Sequence, residues 1–203
     1  MVSRRLEGLV ADFSSCFNNG NASSQPTFAQ YLKDHRDPKY AVWQINVYPT
    51  TTYAVQVLTT LIYAWTSDSL FRGARWPPII FGASVNIVVY ASLAAWNIPT
   101  GWRWACYILS GAGGGLSGLC MAWVHEICSD DNEERALVIA SMNEMAYVLQ
   151  AWLPLIVWQQ VDAPKYHKGF ITVTCLSILM ILTTFVIRLL HQRQNPRRLA
   201  GTL

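Results

Sequence analysis

Charge is what this sequence has least of: Asp, Glu, Lys and Arg make up 13% of its 203 residues, about half the share of an ordinary soluble domain. A water-soluble fold needs that charge on its surface. With 52% hydrophobic residues beside it, the scarcity excludes such a fold and points to a surface that meets lipid. Paired cysteines are also missing, because Cys16, Cys106, Cys120, Cys128 and Cys175 form no CxxC and no metal-ligand spacing. They read as small lipophilic side chains. His125 and Glu126 open no HExxH motif, since position 129 is Ser, which excludes that class of metalloprotease. No catalytic residue, metal cluster or cofactor motif emerges, so the chain does not read as an enzyme. The net charge of +3 is scattered along the sequence, which leaves no coherent nucleic-acid surface. A cleavable signal is not visible either, because Glu7 and Asp12 interrupt any apolar central region.

What is present is a set of apolar stretches, at about 48–65, 78–96, 104–124, 136–158 and 170–190. Each is long enough to cross a hydrocarbon core of about 30 Å. Tyr48, Trp65, Trp76, Trp96, Trp102, Trp104, Trp158 and Tyr166 stand at their ends, as amphipathic rings do at the headgroup level. The expected fold is an all-α membrane protein with five transmembrane helices. Residues 1–46 form a polar segment with a sequon at Asn21, 47–191 the bundle and 192–203 a basic tail. The first stretch is the most polar, with Thr50, Thr51, Thr52, Gln56, Thr59 and Thr60. Threonine hydroxyls that bond back to their own helix make this tolerable where the helix faces protein.

Three groupings carry chemistry. In the break at 66–77, Asp68 is followed by Arg72 and Arg75, so an acid at one helix end can accept from an arginine at the next helix start. The glycines Gly111, Gly114, Gly115 and Gly118 contain a formal GxGxxG with Gly113, but no strand precedes it and the run lies inside an apolar stretch. Their spacing of four instead predicts close helix packing, Gly111 with Gly115 and Gly114 with Gly118. In the fourth stretch Asn143, Tyr147 and Gln150 fall at i, i+4 and i+7 on one face, with Glu144 beside them. An acid at membrane depth is costly unless protonated, paired or beside water. Either a functional face or a hydrogen-bonded packing network fits this pattern. Glu126 is expected to cap its helix or to pair with Arg135, and Asp130, Asp131, Glu133 and Glu134 to complement the next helix N-terminus.

The runs INVYPTTTYAVQ, YAWTSDSLFRGARWPP, SLAAWNIPTGWRW, HEICSDDNEERALVIASMNEMAYVLQAWLPLIVWQQVDAP and KGF resemble the fungal allantoate permease branch of anion:cation symporters in the major facilitator superfamily. Its pantothenate transporter-like members are especially similar, over about 25–193. The resemblance implies that the five stretches correspond to helices eight to twelve of about twelve, arranged in two halves with substrate held between them. Asp68, Arg72 and Arg75 would form the family's signature loop, facing the cytoplasm with 126–135 and the tail, in the plasma membrane. Proton symport of a small organic anion such as pantothenate or allantoate follows from the same resemblance. Asn143, Tyr147, Gln150, Tyr53 and Gln56 would contact substrate, and Glu144 would carry the proton. The chain would then be a C-terminal fragment, whose partners beyond lipid, anion and proton are a missing N-terminal half or a full-length carrier. A non-transporting membrane remnant, or an interaction partner of such a carrier, is the alternative.

Overall fold

The computed structural model describes residues 26–34, 39–128, 132–163 and 165–194; Cys16, Asn21, Asp130, Asp131 and the tail beyond 194 lie outside them. Every regular element among the described residues is helical: α1 (Pro26–Asp34), α2 (Val42–Val47), α3 (Thr50–Ser69), α4 (Trp76–Ala95), α5 (Thr100–Leu109), α6 (Gly111–Gly114), α7 (Leu116–Ile127), α8 (Asn132–Val157) and α9 (His167–Gln194), with a short 3-10 turn at Gln160–Asp162. Four runs are long and apolar enough to cross a membrane: Trp76–Ala95, Thr100–Ile127, Arg135–Val157 and His167–Leu190.

The first expected span is a helix of matching length, the 20 residues of α3, but it is not one of those four. Its threonines, Gln56 and the Ser67-Asp68-Ser69 end lower its hydropathy. Thr59, Thr60 and Thr66 donate to carbonyls of Val55, Gln56 and Ile62 one turn back, which satisfies the hydroxyls locally. Thr52 is buried and instead reaches across to the Tyr107 carbonyl of α5 at 3.3 Å.

The third span is one 28-residue run broken at Ser110 and Gly115 into α5, α6 and α7. Consecutive glycines hold a helix poorly, yet they let α3 come close. A Cβ on Gly111 would overlap the Thr52 carbonyl, one on Gly114 the Gln56 side chain and one on Gly115 the Thr60 side chain, whereas one on Gly118 would meet nothing within 4 Å. Gly118 therefore departs from the expected packing pair, because it faces open space.

Helix α1 was not anticipated by the polar reading of 1–46. Its Phe28, Tyr31 and Leu32 are buried, at the i, i+3 and i+4 spacing of one helix face. The Phe28 ring stacks on Tyr107 at 5.0 Å and the Tyr31 ring at 5.1 Å. This end of the bundle is an aromatic core with Tyr90, Leu93, Cys106 and Phe170. A middle core joins Tyr63, Ile79, Leu116, Leu119 and Met180, and the far end joins Val124, Cys128, Met142 and Ile187. Helices α4 and α9 pack along their lengths, α3 lies along α5 to α7, and α8 rests on α7 and α9. Only 11% of the α8 span is buried. The last helix runs on to Gln194, three residues into the stretch expected as tail.

Candidate functional site

At the α3–α4 turn, Asp68 belongs to the last turn of α3, and the chain reverses through Arg72 and Gly73 with φ of 50° and 89°. Glycine takes that left-handed conformation without a Cβ penalty. The turn delivers Arg75, at 16% side-chain exposure, onto two acids. Its Nη1 lies 2.8 Å from Asp68, and its Nη2 lies 2.9 Å from Glu126 on α7. Nε donates to the same Glu126 oxygen at 2.9 Å, and Nη1 to the Ser67 hydroxyl at 3.4 Å. Beside this cluster the Arg188 guanidinium of α9 sits 3.6 Å over the Trp76 ring. Arg75 thus ties the ends of α3, α4 and α7 together, while Arg72 is exposed and serves the turn through its backbone.

This corrects the expected Glu126–Arg135 pair. Arg75 takes Glu126 from 51 residues away, and Arg135 instead donates to the Asn132 side chain at 2.7 Å. The planar fork explains the preference, since it can engage two acids at once. Both acids are substantially exposed, so screening keeps the ion pairs modest. Arg75→Ala is expected to cost about 1–3 kcal/mol through its charge-assisted bonds, with Arg75→Lys recovering less than half because it lacks the fork. Thermal unfolding of detergent-solubilised protein measures this, and equal melting temperatures for Arg75→Ala and wild type would refute it.

On α8, Asn143, Glu144 and Tyr147 are exposed and Gln150 is half-buried. The sequence suggested buried polar groups here, but few neighbours cover this helix. Asn143 opens into a cleft of about 520 Å³ between α7 and α8, with Met121, His125, Asn132, Arg135 and Ile139 in its wall. The sequence had offered Arg135 only as a partner for Glu126 and His125 only as half of an incomplete metal motif, and it had not singled out Asn132. Their gathering around Asn143 depends on how α7 and α8 pair, which spacing along the chain does not express. Tyr53 and Gln56 do not share this cleft: Tyr53 is exposed on α3, and Gln56 lies against Gly114. Gln56 and Asn143 are therefore divided by the central α5–α7 run. A further polar group, Asn86 on α4, is 2% exposed and its Oδ1 has no partner among the described residues. The visible signal was an asparagine alone in an apolar run.

The opposite end holds a second arginine clamp. Arg103 donates through Nη2 to the Trp96 carbonyl at 2.6 Å and the Ile98 carbonyl at 3.3 Å. Its guanidinium stands 4.6 Å from the Trp96 ring and 5.8 Å from Tyr31.

No family model matches the chain. It is 30% identical over 157 residues to a pantothenate transporter of Schizosaccharomyces pombe, covering 77% of the chain and 30% of that protein. Against a pantothenate transporter of Saccharomyces cerevisiae it is 27% identical over 173 residues, 85% of the chain and 33% of the relative. An MFS transporter of Pestalotiopsis fici is 29% identical over 173 residues, 84% of the chain and 32% of the relative. The chain is similar to part of a transporter. It spans about a third of the length of these curated relatives. Their likeness, joined to four helices long and apolar enough to span a bilayer, supports an integral membrane protein similar to part of these transporters. The transporter-like bundle is tied at one end by Arg75 and at the other by Arg103, and it leaves the Asn143 face of α8 open between them.

Proposed function

We propose that this chain supplies helices eight to twelve of a proton-coupled carrier for a small organic anion, pantothenate or a near relative such as allantoate. The observation that carries the reading is the polar stripe of Asn143, Tyr147 and Gln150 on a helix only 11% buried, opening at Asn143 into a cleft. Amide and phenol groups on such a face are costly against lipid but suited to a solute path. The names of the relatives support the substrate class. In this reading Asn143, Tyr147 and Gln150 contact solute, and Tyr53 and Gln56 approach it from α3 when the other half of a carrier completes the cavity. Glu144 beside the stripe is the proton carrier. The Arg75 end faces the cytoplasm, and the membrane is the plasma membrane.

The test joins the chain to the preceding part of a pantothenate transporter relative and measures labelled uptake in cells without their own carrier. Glu144→Gln is expected to lower uptake at least about tenfold, roughly 1.4 kcal/mol, and to flatten its pH dependence. Unchanged uptake with the same pH profile would sink the proton role. The exposed faces of α3 and α8 also suit a non-transporting partner of a full-length carrier. Co-purification with that carrier, without uptake by the joined protein, would favour this second role.

A further inference from the structure

The stripe on α8 does not stop at Gln150. Pro154 lies one turn on, so Asn143, Tyr147, Gln150 and Pro154 fall at i, i+4, i+7 and i+11 along one face. At Asn143 that face meets the α7–α8 cleft, and at Pro154 it meets a larger one of about 830 Å³. The larger cleft is walled by Thr27 and Gln30 of α1 and by Trp158, Gln159, Gln160 and Tyr166 at and beyond the end of α8. Both cavities therefore lie on a single stripe, one toward each end of the helix.

The wall chemistry is specific. Among the described residues no Asp, Glu, Lys or Arg lines the cleft, and the acids beside it are engaged elsewhere. Asp34 accepts from the Gln30 Nε2 at 3.1 Å, and Asp162 pairs with Lys168 at 3.3 Å. The Tyr166 hydroxyl donates to the Gln160 Oε1 at 3.4 Å. Burial, and then the charge of Asp34, push the Tyr166 phenol above its ordinary range, so it stays a donor at neutral pH. Those bonds use the NH2 of Gln30 and the oxygen of Gln160. An acceptor remains on the α1 side and a donor on the opposite wall, the pair that a secondary amide requires. The Trp158 ring adds an apolar surface, and the half-polar, uncharged wall disfavours a carboxylate.

We propose that the cleft between α1 and the Pro154 end of α8 is a binding subsite for the uncharged hydroxyl and amide portion of a small solute. This rests on the reading that the α8 stripe lines a solute path, and it makes the cleft the outer waiting site of that path. Pantothenate carries hydroxyls, a secondary amide and a carboxylate, and only its uncharged part belongs here.

The full chain in membrane vesicles provides the test. Val161→Cys, in the wall of the cleft and exposed in the structure, is labelled with a membrane-impermeant maleimide, with the wild-type chain giving the background of the native cysteines. Pantothenate, and its alcohol panthenol, are each expected to slow labelling at least about threefold, with half-effects within about threefold of one another. β-Alanine, which has the carboxylate without the hydroxyl and amide part, is expected to give no protection. Gln30→Leu and, separately, Gln160→Leu on the Val161→Cys background should each weaken protection about tenfold while the unprotected labelling rate stays the same. Labelling unaffected by pantothenate and panthenol, or slowed only by carboxylate-bearing compounds, overturns the proposal. Protection without uptake by the joined carrier would overturn the transport reading and leave the subsite standing. Uptake without protection would do the reverse.

Discussion

Gly111→Val is expected to leave almost no folded protein, whereas Gly118→Ala, seven residues along the same run, is expected to be neutral or slightly stabilising. At Gly111 a Cβ would enter the space of the Thr52 carbonyl, with the Thr52 carbonyl carbon and the Gln56 amide nitrogen close behind. These are backbone atoms of α3, so no rotamer change relieves the overlap. Relief requires α3 to move away, which would also break the Thr52 hydroxyl bond to Tyr107 and open the seams at Gly114 and Gly115. Overpacking of a tight contact costs about 1–3 kcal/mol where side chains can adjust, and a backbone clash lies at or beyond the upper end. Even Gly111→Ala should lose about 3 kcal/mol. At Gly118 nothing lies within 4 Å of the added carbon, so the helix preference of alanine, worth about 1 kcal/mol, is unopposed. Fluorescence-detected size exclusion with a thermal ramp distinguishes the two. A monodisperse Gly111→Val protein with the wild-type melting temperature would refute the α3–α6 contact.

Arg103→Met should be the next most damaging change, at about 3–4 kcal/mol. The substitution keeps a long apolar stem and removes the charge, so its loss reports on the guanidinium. That group bonds two carbonyls of the α4–α5 turn, each such bond to a charged donor being worth about 1.5–3 kcal/mol. It also contacts the Trp96 ring, for about 0.5–1 kcal/mol more. Trp96 itself sits at φ 55°, a left-handed conformation that costs a bulky residue about 1–2 kcal/mol and persists only while its surroundings hold it. Without Arg103 the turn relaxes, and Tyr31 loses the cation near its ring. Helix α1 should then loosen. Thr27→Cys, at a position buried in the wild type, should react with maleimide several times faster in the Arg103→Met background. Unchanged melting together with unchanged labelling would show that the turn is held by something else.

Much of the architecture was readable from a few physical constraints. Scarce charge and long apolar runs demanded helices in lipid, since only helices and closed barrels satisfy the backbone there. The aromatic and charged breaks marked their ends to within a few residues. Helix α1 escaped because its segment averages polar, although Pro26 with Phe28, Tyr31 and Leu32 is an amphipathic helix start. The partner of Glu126 escaped for a different reason. Arg135 is nine residues away along the chain, but Arg75 reaches Glu126 because α3, α4 and α7 end at one level.

Local chemistry, then, was determined by the sequence alone: helical periodicity put Asn143, Tyr147, Gln150 and Pro154 on one stripe, and glycine spacing prepared a close approach. Tertiary structure alone decided what each feature meets. It set α3 against Gly111, Gly114 and Gly115 but left Gly118 open. It gathered His125 and Arg135 around Asn143, and it brought Gln30 across to Gln160. Periodicity follows from the backbone's own 3.6-residue turn and is written into any helical segment. Which faces come together depends on the packing of side chains far apart in the chain, and for that no spacing rule exists.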